Sequence, residues 1–214
     1  MNKLYIIGTG PGDKKYLTLE AIDALKDSEV VVAINNKGKT QALDTVRDFL
    51  DGKKVVEVKS DMLNVGDDHY EKLAQTIKEN LANSNVSFIM IGDAMIYSSY
   101  LNLEKYLSNI DIRLVSGIPS FVAAAARINM PLVLKGESFT LIDSLDSLPN
   151  QDSFALLKAR GLDIKDLEKL ESSGYELSLV KRLSLDGEEI LRGSENIIKN
   201  RSYMALILGR KKNG

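Results

Sequence analysis

The sequence predicts an α/β protein with an N-terminal open parallel sheet flanked by helices on both faces and a second α/β domain after it. Three observations predict this. Short Val- and Ile-rich runs alternate with longer amphipathic ones through the first half. Glycine-rich joints fall where the short runs end. After about residue 118 the rhythm changes to more closely spaced strand candidates.

The first strand candidates are KLYIIG (3–8), EVVVAI (29–34), KVVEVK (54–59), VSFIMIG (86–92) and IRLVSG (112–117). Each is brief, β-branched and bounded by Gly, Asp, Asn or Ser. Between them YLTLEAIDALKDS, TQALDTVRDFLDG, DDHYEKLAQTIKENLANS and SYLNLEKYLSN repeat apolar residues three and four apart, as one face of a helix requires. Strand, helix, strand, helix argues for parallel pairing, and ligands of such sheets lie beyond the carboxyl ends of the strands. In the second half a small-residue helix, PSFVAAAARINM, leads through Pro131 to strand candidates at 138–142, 153–158, 176–183 and 203–209. The helices IKDLEKLESSG and SENIIKN interrupt these strands. The run AAAAR (123–127) has a packing explanation, since small residues let a helix approach its neighbours closely. The domains are expected over 1–116 and 117–214. With no repeat or low-complexity linker, they are expected to pack around a shared cleft.

Composition narrows the function. The 214 residues are 44% hydrophobic, enough for a sizeable core. A formal net charge of -2 gives no global basic field for nucleic acid or anionic membrane. The absence of cysteine excludes disulfides, a thiolate nucleophile and the common structural zinc sites. With His69 as the single histidine, a protein-only transition-metal site is not expected. The chain opens into a strand-like run without a signal-peptide pattern, and no later run is long enough to span a bilayer, so a cytoplasmic protein is expected.

Two loops imitate phosphate sites. GTGPGD (8–13) supplies Gly8 and Gly10 of a dinucleotide fingerprint, but Asp13 stands in the third glycine's place and would repel a pyrophosphate, while Pro11 removes a backbone donor. AINNKGKT (33–40) approaches the spacing of a P-loop with Gly38, Lys39 and Thr40, and Asp93 imitates a magnesium-binding aspartate. Ala33 replaces the leading glycine, so the plainer reading is a solvated turn joining strand to helix.

A third constellation fits better. GTGPGDKKYLTLEAIDALKDSEVVVA resembles the opening motif of the tetrapyrrole methylase family; IGDAMIYSSYLNLEKYL is similar to its second motif, the GDP loop; VSGIPSFVAAAARINMPL is similar to its third, PGI before a small-residue helix. Order and spacing agree over nearly the full chain. Ala94 and Ser116 stand where the family usually has prolines, which would fix φ in loops that shape the cofactor site. Tyr97, Ser98 and Ser99, together with KGKTQALDTV, FALLKA and YMALILGRK, resemble the branch that methylates C20 of precorrin-2 or cobalt-factor II.

The resemblance implies a two-domain fold whose C-terminal domain carries a mixed sheet, with S-adenosylmethionine held in the cleft between the domains. It places Pro11, Gly92, Asp93, Ile96, Tyr97, Ser98, Pro119, Ser120 and Lys158 around that cofactor. A loop through Gly92 presents backbone donors to a carboxylate, and Asp93 or backbone carbonyls meet an ammonium. Without the resemblance, Asp93 reads as a loop cap, Ile96 as ordinary core and Lys158 as a lysine reaching from a strand end to water. For a polycarboxylate tetrapyrrole, Asp13, Lys37 and Lys39 are substrate candidates, with Lys14 and Lys15 beside them. Transfer of a methyl group from a sulfonium to an electron-rich carbon needs alignment more than a catalytic triad, so no catalytic residue is assigned. The resemblance favours a homodimer. The other readings are another cobalt-corrin methyltransferase, a methylase of protein or ribosomal RNA, a non-catalytic binding protein, and a nucleotide hydrolase built on Lys39, Thr40 and Asp93.

Overall fold

A computed structural model describes residues 2–36, 38, 40–60 and 66–212, and the chain divides into two compact units, Met1–Pro119 and Ser120–Gly214. The first unit runs β1 Leu4–Gly8, α1 Leu19–Lys26, β2 Val30–Asn36, α2 Gln41–Val46, β3 Lys54–Ser60, α3 Asp67–Leu81, β4 Val86–Met90, α4 Ser99–Leu103 and β5 Ile112–Val115. Its sheet has the order β3-β2-β4-β1-β5, and every pairing is parallel.

Strand alternation sorts the apolar residues onto two faces. Leu4, Ile6, Val30, Val32, Val86 and Phe88 pack with Leu73, Ala74 and Ile77 of α3 and Tyr100 and Leu103 of α4. Tyr5, Ile7, Val31, Ala33, Ile89 and Val115 pack with Ala21, Ala24 and Leu25 of α1 and Leu43 and Val46 of α2. Each fully buried Leu or Ile of these layers contributes roughly 1.5–3 kcal/mol of transfer free energy. The chain winds from β1 over β4 to β2 and β3, then returns through β4 and over β1 to β5. Reversal of winding moves the crossover helices to the opposite face, as right-handed connections require. The strand β4 therefore sends its connection to one face while its neighbours β1 and β2 send theirs to the other. Such a reversal opens a crevice at the carboxyl ends of the strands.

The second unit contains α5 Ser120–Arg127, β6 Phe139–Ile142, β7 Ser153–Leu156, α6 Ile164–Ser172, β8 Tyr175–Lys181, β9 Glu189–Arg192, α7 Ser194–Ile197 and β10 Ala205–Lys211. Its sheet, β6-β7-β10-β8-β9, is mixed: β6 and β7 are parallel and the other pairs antiparallel. Phe154, Leu156, Leu177, Leu179 and Ile207 bury one face under Leu167 and Leu170 of α6 and Ile197 of α7. Ala123, Ala124 and Ala125 are buried on α5, which packs against β10, so the small-residue run has the packing role expected of it. Gly209 lets the Phe154 ring lie flat on β10, since an added Cβ would come 2.1 Å from it. An ion pair joins Arg210 of β10 to Glu137 ahead of β6, Nη2 of the guanidinium lying 2.5 and 2.7 Å from the two carboxylate oxygens, with little exposure of either side chain.

Every strand and helix expected from the sequence is present, with most ends shifted by up to three residues; α2 and α4 end six residues before their expected segments, each giving way to a 3₁₀ turn, Arg47–Phe49 and Glu104–Tyr106. The exception is β9, whose EILR was not read as a strand. Only Leu191 and Ile190 are apolar there and the strand is largely exposed, so β9 owes its conformation to antiparallel pairing with β8 at the sheet edge.

Candidate active site

Three loops leave the carboxyl ends of β1, β4 and β5 and cross one another almost backbone to backbone. A Cβ placed on Gly117 would lie 2.1 Å from the Gly92 carbonyl oxygen and 2.7 Å from that of Gly8; one placed on Gly8 would lie 2.5 Å from the Gly92 oxygen. No side chain fits there. Gly10 and Gly92 exchange backbone hydrogen bonds, Gly10 N–H donating to the Gly92 carbonyl at 3.1 Å and Gly92 N–H to the Gly10 carbonyl at 2.8 Å. The fully buried Thr9 donates both its N–H and its hydroxyl to the Met90 carbonyl. The first and second loops are thus one tied unit.

Asp93 ties in the third. Its Oδ2 accepts from Gly117 N–H at 2.9 Å and its Oδ1 from Met95 N–H at 2.8 Å, so the carboxylate is a loop cap with both oxygens engaged. Thr18, the N-cap of α1, accepts from Ala21 N–H at 3.1 Å and donates its hydroxyl to the Ser116 carbonyl at 3.2 Å. Ser98 does not cap α4; its hydroxyl turns back to the Ala94 carbonyl. The two positions that lack the family's prolines, Ala94 and Ser116, are therefore each held through their carbonyl by a neighbouring hydroxyl.

Other expected site residues distribute as follows. Pro11 is buried in the first loop, and Asp13 caps a short 3₁₀ turn, Lys14–Tyr16, by accepting from Lys15 N–H at 2.9 Å. Lys14 pairs with Asp48 at 2.5 Å, an exposed contact of small energetic weight, and Lys15 is exposed. Lys37 and Lys39 lie outside the described residues. Between them Gly38 donates its N–H to Asn35 Oδ1 at 2.7 Å, so that donor closes a turn and does not face a phosphate. Thr40 precedes α2 without a capping hydrogen bond. Ile96 is half-buried and Tyr97 half-exposed, and Tyr97 sits at φ 45, a left-handed conformation costly for a non-glycine residue. Pro119 is the last residue of the first unit, and Ser120 opens α5 in the second. Lys158, exposed beyond the end of β7 in the second unit, is also left-handed at φ 55.

The structure thus brings Pro11, Gly92 and Asp93 together through the Gly8, Gly92 and Gly117 crossing, with Ile96, Tyr97 and Ser98 on the same loop. Sequence reasoning assigned no role to Gly117 or Thr18. Both lie inside quoted stretches, Thr18 in the first motif and Gly117 in the third, and their signal was that of the motif as a whole. His69, in the first turn of α3, has its pKa lowered by burial and by nearby Lys72. Among the described residues there is no cluster of His, Cys, Asp or Glu able to hold a metal ion and no helix long and apolar enough to cross a membrane.

Comparison with known proteins agrees with this geometry. The family model of the tetrapyrrole (corrin/porphyrin) methylases matches residues 3–197. A probable cobalt-precorrin-2 C(20)-methyltransferase of Methanocaldococcus jannaschii is 30% identical over 205 residues, covering 90% of this chain and 88% of that protein. The cobalt-precorrin-2 C(20)-methyltransferase of Salmonella typhimurium is 30% identical over 230 residues, covering 98% and 96%. The crystal structure of a uroporphyrin-III C-methyltransferase from Thermus thermophilus, complexed with S-adenosylhomocysteine, has the same fold, with a TM-score of 0.69 at 20% identity and 97% of each chain covered. The chain belongs to the tetrapyrrole methylases. It is a methyltransferase, and the cofactor of the family is S-adenosylmethionine.

The loop after β4 has an open stretch of backbone. Gly92 is left-handed at φ 76, and a Cβ built on it meets nothing within 4 Å, so a ligand can approach its backbone. Asp93 holds the same loop through Gly117 N–H and Met95 N–H.

Proposed function

We propose that this chain methylates C20 of precorrin-2 or of cobalt-factor II in cobalamin biosynthesis. The observation that carries the reading is the near-full-length similarity to two proteins both named for the C20 reaction. The loop geometry supports a methyl transfer that depends on alignment: the glycine crossing fixes the loops after β1, β4 and β5 against one another before any ligand arrives. S-adenosylmethionine supplies an electrophilic methyl group on a cationic sulfur. Pro11, Gly92, Asp93, Ile96, Tyr97, Ser98 and Pro119 are assigned to its site, and the same reading names Ser120 and Lys158. Asp13, Lys37 and Lys39 are assigned to the tetrapyrrole, Asp13 through the turn it caps. The reading also makes the protein a cytoplasmic homodimer, which light scattering on the purified chain checks for oligomeric state.

Incubation with isotopically labelled S-adenosylmethionine and either precorrin-2 or cobalt-factor II, followed by mass spectrometry and NMR of the product, is expected to show one methyl group, on C20. A methyl at another carbon would move the chain to a different cobalt-corrin methyltransferase. No product from either substrate would remove the assignment. In calorimetry S-adenosylhomocysteine is expected to bind and ATP with magnesium is not; the opposite result would restore the nucleotide hydrolase.

A further inference from the structure

Lys158 follows β7 as an exposed residue held at φ 55. A left-handed conformation is disfavoured for any residue with a Cβ and persists only where the surroundings over-determine it. Here they do so on both sides. Before Lys158, the Leu157 N–H donates to the Ile142 carbonyl at 2.9 Å. After it, the buried Ala159 donates its N–H to the carbonyl of Ala205, the first residue of β10, at 2.9 Å. Arg160 N–H turns back to the Lys158 carbonyl at 2.7 Å and closes the turn. The remaining group, the Ala159 carbonyl, accepts from Nδ2 of Asn200 at 3.0 Å.

Asn200 follows α7, where its N–H donates to the Ile197 carbonyl at 3.0 Å. The side chain is buried and its amide is engaged three times. Besides Ala159, Nδ2 donates to the Ser202 carbonyl at 3.2 Å, and Oδ1 accepts from Ser202 N–H at 3.0 Å. These partners fix which end of the amide is nitrogen, since exchange would set an oxygen against two carbonyl oxygens. One side chain thus locks the segment that leads into β10 to the turn that carries Lys158. Without it the Ala159 carbonyl would be buried and unpaired, and the turn would re-form in another conformation, re-aiming the lysine. We infer that Asn200 is a positioning residue of the cofactor site: by holding the Ala159 carbonyl it keeps Lys158 in the left-handed conformation that aims its ammonium at S-adenosylmethionine. The inference rests on the assignment of Lys158 to that cofactor above.

The test is a double-mutant cycle of Lys158→Ala and Asn200→Asp, read by calorimetric titration of S-adenosylhomocysteine, with thermal unfolding of every variant. Asn200→Asp keeps the size of the side chain and the acceptor for Ser202 N–H, but sets an oxygen against the Ala159 carbonyl. Each single variant is expected to bind S-adenosylhomocysteine about 10-fold more weakly, as for the loss of one polar contact. The double variant is expected to bind no more weakly than the weaker single one, because Asn200 acts through Lys158. Asn200→Ala, which removes the contacts without adding charge, is run beside it and is expected to give the same pattern. A roughly 100-fold, additive loss in the double variant would mean that Asn200 acts by another route, and would overturn the inference. Wild-type affinity of the Asn200 variants beside a weakened Lys158→Ala would overturn it alone and leave the cofactor assignment of Lys158 standing. Wild-type affinity of Lys158→Ala would remove Lys158 from the cofactor site and the inference with it. Failure of both Asn200 variants to fold would make Asn200 a residue of the fold alone and overturn the inference.

Discussion

At the scale of single residues, two kinds of glycine serve the site for different reasons. Gly8 and Gly117 are needed because backbones cross where a Cβ would overlap a carbonyl. Gly92 has open space beside it; it is needed for its φ of 76 and, in the proposed function, for the cofactor's approach to its backbone. The two roles separate by mutation. Gly117→Ala is expected to destabilise the fold by at least ~3 kcal/mol, since neither Gly92 nor Gly8 can move without dragging a strand end. Gly92→Ala is expected to cost only about 1–2 kcal/mol of left-handed strain while abolishing binding of S-adenosylhomocysteine. Denaturant unfolding and calorimetric titration of the two variants read these outcomes. The sequence placed all three glycines in motifs. It could not show that Gly117 opposes Gly8, because their contact joins residues more than a hundred positions apart.

At the scale of elements, α1 is held by one hydroxyl with two duties. Thr18 accepts from Ala21 N–H as N-cap and donates to the Ser116 carbonyl in the third loop. Thr18→Ala is expected to cost about 1 kcal/mol through the cap and up to ~1 kcal/mol more through the lost tie, with Thr18→Ser restoring most of both. Thermal unfolding of the pair checks this. The cap was legible as a Thr before an apolar run; the tie to Ser116 was not. The strand β9 marks the same limit, because EILR has no alternation of its own and is a strand only where β8 offers its edge.

At the scale of the whole molecule, the titrating groups set a window of stability. The Arg210 guanidinium, helped by Leu134 N–H, holds Glu137 below the usual carboxylate range; Ser138, through N–H and hydroxyl, does the same for Asp152, and Lys105 for Asp67. Burial lowers His69. All four bind protons less readily folded than unfolded. Their contributions are complete above the unfolded pKa and are lost as pH falls, His69 first and then the carboxylates. Tyr5 has the opposite sign: its hydrogen bond to Asp27, then burial, push it up to about 12, so its contribution is present below its ordinary value and lost as pH rises through the folded one. The midpoint of thermal unfolding is expected to be flat from just above the usual histidine range to the ordinary tyrosine value and to fall on either side. Glu137→Gln is expected to flatten the acid limb and Tyr5→Phe the alkaline one, by calorimetry across pH.

The sequence by itself determined the class of every element but one, the parallel character of the first sheet and the family, because hydrophobic period and motif spacing are local properties. GTGPGD was legible as a turn that is wrong for pyrophosphate, with Asp13 as the deciding residue; the structure gives that residue a cap on Lys15 N–H. Only the tertiary structure decided the strand order β3-β2-β4-β1-β5, the crevice made by its reversal of winding, and the crossing of Gly8, Gly92 and Gly117. It alone showed the amide of Asn200 on the Ala159 carbonyl. The physical reason is common to these. Close approach and loss of water are properties of pairs and surroundings, and they acquire values only when distant segments of the chain are packed together.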